Sequence, residues 1–100
     1  MSRPADSVRL EILWTRLNAM ADEAATALVR TAFSSIIRDA NDYACALFDA
    51  EYNLFAQSAF GGPGFLGALP ITMKKIGEMH PPATLSPGDV LITNDPWLST

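Results

Sequence analysis

The chain has 100 residues, of which 49% are hydrophobic and 18% charged, where an average soluble domain carries about 25% charge. Eleven acidic and seven basic residues give a net charge of -4 with no basic cluster to track a phosphate backbone, which argues against nucleic acid as a partner. One Cys and one His exclude an internal disulfide and a zinc site of the spaced Cys/His kind; with no apolar run near the roughly 20 residues that cross a bilayer and no signal-peptide start, the expectation is one soluble, cytoplasmic domain without membrane contact.

Residues 2–7 read as a polar lead in which Asp6 or Ser7 can cap a helix start. Leu10, Leu13/Trp14, Leu17, Met20/Ala21, Ala24, Leu28, Ala32 and Ile36 then recur at steps of three and four, the spacing of one helix face. A continuous helix from Val8 to Arg38 would span roughly 46 Å at about 1.5 Å per residue. A compact chain of this length is only roughly 34 Å across. The helix must therefore break near the β-branched, Ser-rich stretch Thr31 to Ile37, or its end must pack on something else.

After Asn41 the period changes to two. Tyr43, Cys45 and Leu47 alternate with Ala44, Ala46 and Phe48, all but filling both faces of a strand with apolar groups, which predicts burial on both sides. Asp49–Asn53 is a polar turn and Leu54–Ser58 a second strand, so 43–58 reads as a β-hairpin. Gly61-Gly62-Pro63-Gly64 breaks regular structure, Pro70 opens a short helix with a stripe of Leu69, Met73, Ile76 and Met79/His80, and Pro81-Pro82 ends it. Ser86–Asp89 is a turn, and Val90–Thr93 reads as a further buried strand that delivers Asn94-Asp95-Pro96-Trp97. The fold class is α+β: long helix, hairpin, short helix and a further buried strand.

Two places could carry chemistry. Asn41-Asp42 lies where the long helix gives way to the hairpin, and its carboxylate can hold a hard metal ion or cap the turn. Asn94-Asp95 follows an apolar run, where α/β sheets place ligand groups, but Asn-Asp-Pro is also an ordinary turn start. The glycine loop lacks a P-loop's Gly-Lys-Ser/Thr ending and reads as structural. His80 reads as a surface or capping residue at a helix end, Cys45 as a small core residue, and Lys74 and Lys75 as a solvated face. No nucleophile and base stand paired as in Ser-His-Asp or Cys-His sites.

The order of the pieces is more specific than any one of them. The run Val8-Arg9-Leu10-Glu11-Ile12-Leu13-Trp14-Thr15-Arg16-Leu17 is followed by Ala21–Ala25, Leu28–Ser34, Arg38-Asp39-Ala40-Asn41-Asp42-Tyr43, Leu47-Phe48-Asp49 and Pro87–Trp97. Together they resemble the hydantoinase B/oxoprolinase family over nearly the whole chain. The resemblance implies that 1–100 are an incomplete, N-terminal part of a longer, α/β-type subunit. That subunit completes the hydrolysis of a cyclic amide, a hydantoin or 5-oxoproline, after an A-type partner subunit that binds ATP and Mg has phosphorylated the substrate. It also implies a divalent metal, zinc or manganese, with Asp42 and Asp95 as ligands, Asn41 and Asn94 orienting the substrate, and further ligands in a Gly-His segment beyond Thr100. The acetone carboxylase branch shares these motifs, and a non-catalytic assembly module, a greasy helical arm docked on another chain, fits the same composition. Two carboxylates fall short of the three or four protein ligands that such metals take, so residues 1–100 alone are expected to be inactive.

Overall fold

A proline at the first helical position needs no hydrogen-bond partner for its nitrogen and has φ already set for a helix. Pro4 fills that role: in the computed structural model, which describes residues 3–98 except the side chains of Pro63 and Leu66, helix α1 runs Pro4–Thr31. Its cap is therefore Arg3, whose carbonyl accepts from the Asp6 and Ser7 amides, and not Asp6 or Ser7. Asp6 instead places its charge in the first turn, at the positive end of the helix dipole. Ser2, in the polar lead, lies outside the described residues.

The helix breaks where the β-branched, Ser-rich stretch predicted. Ala32 and Ser34 are extended, and the Ser34 hydroxyl accepts from the Ile36 amide at 3.2 Å to start helix α2, Ser35–Ala40. Even so, α1 alone spans roughly 42 Å in a molecule 46 Å long. The Cα radius of gyration is 15.5 Å, against roughly 13 Å for a compact chain of this size.

Strands β1 (Ala46–Phe48) and β2 (Leu54–Gln57) pair antiparallel, Ala46 opposite Gln57 and Leu47 opposite Ala56, then Phe48 opposite Leu54. Phe55 is the extra residue of a β-bulge, which turns a strand locally and re-aims a side chain. The hairpin is shorter than the 43–58 alternation suggested. Tyr43 is buried but Ala44–Phe48 are only half-buried, because among the described residues the two-stranded sheet packs chiefly on α1 and lacks a comparable layer on its other face.

Asp49 holds the turn together. Its Oδ1 accepts from the amides of Asn53 at 2.8 Å and Glu51 at 2.9 Å, and its Oδ2 from the Asn53 side chain at 3.1 Å. The backbone and side-chain bonds from Asn53, then the Glu51 amide, hold this carboxyl below its ordinary value of 3.8. A group depressed in the folded state stabilises the fold above its unfolded pKa and ceases to do so as pH falls through the folded value. Amide exchange at Glu51 and Asn53 is therefore expected to keep its protection above about pH 4 and lose it on acidification below that, measured against the exchange rates of the unfolded chain.

Helix α3 covers Pro63–Met79, starting six residues before the predicted Leu69. Pro63 takes the first-turn position assigned to Pro70, so only Gly61 and Gly62 of the glycine run precede the helix. Pro70 is accommodated inside it at the loss of one backbone donor. The helix ends at His80, whose amide donates to the Ile76 carbonyl at 2.8 Å, just before Pro81-Pro82. A 3-10 turn (Pro82–Thr84) and the Ser86–Asp89 turn follow. The ring of Tyr52, at the tip of the hairpin, lies against Gly77, where a Cβ would strike it.

Two expectations about the core do not hold in full. The Val90–Thr93 run forms no strand: Val90 and Ile92 are 87% and 97% exposed, since the sheet of the described residues ends at β1 and β2 and offers it no partner. The predicted apolar stripe is the core face only in part. Leu10, Leu13, Trp14, Met20 and Leu28 of α1 and Ile36 of α2 are exposed and Leu17 is half-buried, while Ala21 of the stripe is buried with Ala25, Ala56 and Tyr43. Small side chains let the strand come close, and Asn18 and Asp22 on the same flank bind its backbone, which turns the large side chains elsewhere. The α+β class stands, and no described helix is long and apolar enough to cross a membrane.

Candidate functional site

Asn41 stops α2 in the left-handed conformation, φ 54°, which Asn tolerates better than most residues. The amides of Asn41 and Asp42 both point to the Ile36 carbonyl, the second at 3.2 Å, and the Tyr43 amide donates to the Asn41 carbonyl at 3.0 Å. The cap is thus made by backbone. The Asp42 carboxylate is exposed and makes no hydrogen bond to the described residues, so it is available to a group from outside them.

Asn94 and Asp95 lie in an exposed turn. Asp95 Oδ1 accepts from the Trp97 amide at 2.9 Å, its own amide donates to Thr93 Oγ1 at 3.2 Å, and its carbonyl accepts from Leu98 at 3.2 Å. Here the turn role is real, and one carboxylate oxygen is already occupied by it. His80 is exposed at the end of α3, and burial pushes the half-buried Cys45 thiol up, away from the thiolate that reacts.

Among the described residues no three His, Cys, Asp or Glu side chains converge to hold a metal. Asp42 and Asp95 do not make a zinc or manganese centre by themselves, and no chemical step through a metal follows from them.

The most developed polar arrangement is one that residue types did not single out. Along the seam between α1 and β2, Asn18 Oδ1 accepts from the Gln57 amide at 3.0 Å. One turn later Asp22 Oδ1 accepts from Ala59 N at 2.8 Å and from the buried Ser58 hydroxyl at 3.1 Å, while Ser58 Oγ accepts from Phe60 N at 3.0 Å. The legible signal was the four-residue spacing of two short polar side chains beside Ala21 and Ala25. These bonds line a groove of about 470 Å³ with Trp14 and residues 54–59. Asn18 Oδ1 and Asp22 Oδ1 are spent on the Gln57 and Ala59 amides and the Ser58 hydroxyl, so the seam positions the hairpin.

From the seam the chain turns through Gly61, φ 114°, whose place no Cβ could share with the Tyr43 carbonyl; the Gly62 amide donates to that carbonyl at 2.9 Å. The glycine loop thus acts structurally, as the sequence implied. It ties the start of α3 to the segment that carries Asp42, so the helix end, hairpin and α3 form one connected frame.

The described residues thus build a long helix, a bulged hairpin tied to it and a polar junction at Asn41-Asp42. Residues 6–100 match the hydantoinase B/oxoprolinase family, and the chain belongs to that family. It is similar to 5-oxoprolinase 1 of Arabidopsis thaliana, 36% identical over 92% of this chain and 7% of the relative. It is 34% identical to 5-oxoprolinase of Saccharomyces cerevisiae over 91% of this chain and 7% of that protein. The B-type subunit of a putative D-/L-hydantoinase of Pseudomonas sp. is 31% identical over 92% of this chain and 16% of its own length. The chain therefore spans a small part of these relatives. No solved structure matches it significantly.

Proposed function

We propose that this chain is the N-terminal part of a hydantoinase B/oxoprolinase subunit that hydrolyses the C–N bond of a cyclic amide, of the hydantoin or 5-oxoproline class. The observation that carries the reading is the match over residues 6–100 to a family whose members include hydantoinases and oxoprolinases. In this reading an A-type subunit supplies ATP and Mg, and the present chain contributes Asp42, with Asn41, Asn94 and Asp95, to a site completed by other parts of the full-length subunit. A divalent zinc or manganese ion belongs to that completed site. The decisive test incubates the full-length protein with its A-type partner, ATP, and hydantoin or 5-oxoproline. Ring-opened product formed in step with ADP supports the reading; carboxylated product from bicarbonate and a ketone would assign it to the carboxylase branch instead.

Asp42 gives a sharper check. Its carboxylate bonds to nothing described in the chain, so Asp42→Ala should change stability by no more than about 0.5 kcal/mol, as for an ordinary surface substitution. In the full-length subunit the same variant is expected to lose bound metal and turnover together, read by elemental analysis and product formation. Wild-type metal content in that variant rejects Asp42 as a ligand. The comparison is favourable because Asp95→Ala also removes a turn bond, at about 1 kcal/mol, and would blur the readout.

A further inference from the structure

Among the described residues, alanines hold most of the buried apolar places, and many large apolar side chains lie outside. The buried apolar residues are Ala21, Ala25, Tyr43 and Ala56, and no large side chain among the described residues is fully buried. Trp14 is 59% exposed, Phe55 is 40% exposed, and Leu10 and Leu13 are exposed with them. These groups are not scattered. Leu10, Leu13, Trp14 and Leu17 of α1 meet the bulge residue Phe55 of β2 around an open, almost wholly apolar groove of about 300 Å³. Contiguous apolar surface of this kind marks a face that another surface covers.

The charges beside it indicate what the cover is. Helix α1 carries Arg9, Arg16 and Arg30 against Asp6, Glu11, Asp22 and Glu23, so it has neither the basic excess of a helix that lies on an anionic membrane nor a field for a strongly charged partner. A strand is also disfavoured as the occupant, because the nearby outward amides of Gln57 and Ala59 are already taken by Asn18 and Asp22. What remains is side-chain packing by apolar groups. The relatives supply the source: they match this chain across α1 and the hairpin, yet most of their length lies outside the matched part.

We propose that the groove between α1 and β2 is an intramolecular docking surface, filled by large apolar side chains from the part of the full-length subunit outside residues 1–100. This rests on family membership and not on the cyclic-amide reading. The test is hydroxyl-radical footprinting of the unmodified full-length subunit, isolated as a monomer, with oxidation of Trp14 and Phe55, both lining the groove, read by mass spectrometry. Both residues are expected to oxidise at least tenfold more slowly in the native monomer than in the urea-unfolded chain. Oxidation of Trp14 in the native monomer at the unfolded rate overturns the proposal. So does protection that appears only when the subunit dimerises or when the A-type subunit is added, since the occupant is then another chain. A protected groove in a protein that opens no cyclic amide leaves this inference standing and removes the functional one.

Discussion

Replacing Gly61 with alanine is expected to destabilise the native frame by about 3 kcal/mol or more. Two costs combine. A positive φ of 114° is a conformation that side-chain-bearing residues rarely adopt, at about 1–3 kcal/mol. The added Cβ also runs into the backbone carbonyl of Tyr43, which cannot swing aside as a side chain could. That same carbonyl accepts from Gly62, so relieving the clash breaks the bond between the start of α3 and the segment after Asp42. The measurement is the urea midpoint of the full-length subunit, with amide exchange at Gly62 as the local readout. A variant with the wild-type midpoint and a protected Gly62 amide would show that the loop does not hold the frame.

Asp22→Ala comes next, at about 2–4 kcal/mol. It removes an acceptor of two charge-assisted bonds, each worth about 1.5–3 kcal/mol, and leaves the hydroxyl of Ser58, a buried residue, without its acceptor. Asp22→Asn keeps an oxygen in place and is expected to cost less than half as much. The amide of Ala59 should exchange faster in the alanine variant while that of Glu51, in the hairpin turn, is unchanged, because the latter is held by Asp49. Equal loss of protection at both amides would mean that the seam and the turn unfold as one unit, and that Asp22 has no local role.

Local chemistry made much of this molecule legible. The break after Thr31, the left-handed stop at Asn41, the Asp49 turn and the helix end before Pro81-Pro82 each follow from what one or two residues can do with neighbouring backbone. Burial was less legible. The stripe Leu10, Leu13, Trp14 and Met20 has the spacing of a core face, but spacing states only that side chains share a face, not what that face meets. Val90–Ile92 is an apolar run of the kind that fills a sheet, and it stays unpaired where no described strand lies beside it. The start of α3 is hard to place from sequence because two prolines can each occupy a first turn, and the hydrogen bonds of the glycine loop decide between them.

The candidate site divides in the same way. Asn41-Asp42 was visible as a polar pair at a change of period, and the structure assigns the capping to the backbone, leaving the Asp42 carboxylate exposed. Asn18 and Asp22 were hidden among the polar positions of a long helix, since their partners, Gln57, Ser58 and Ala59, lie more than 35 residues away in sequence.

The bonds from Asn18 and Asp22 also give the hairpin a direction of growth. With the outward amides of Gln57 and Ala59 already capped by helix side chains, β2 is a closed margin, and a strand added to this sheet must lie alongside β1. Any larger sheet built on this hairpin therefore begins at α1 and extends away from it, so the long helix marks where the sheet starts.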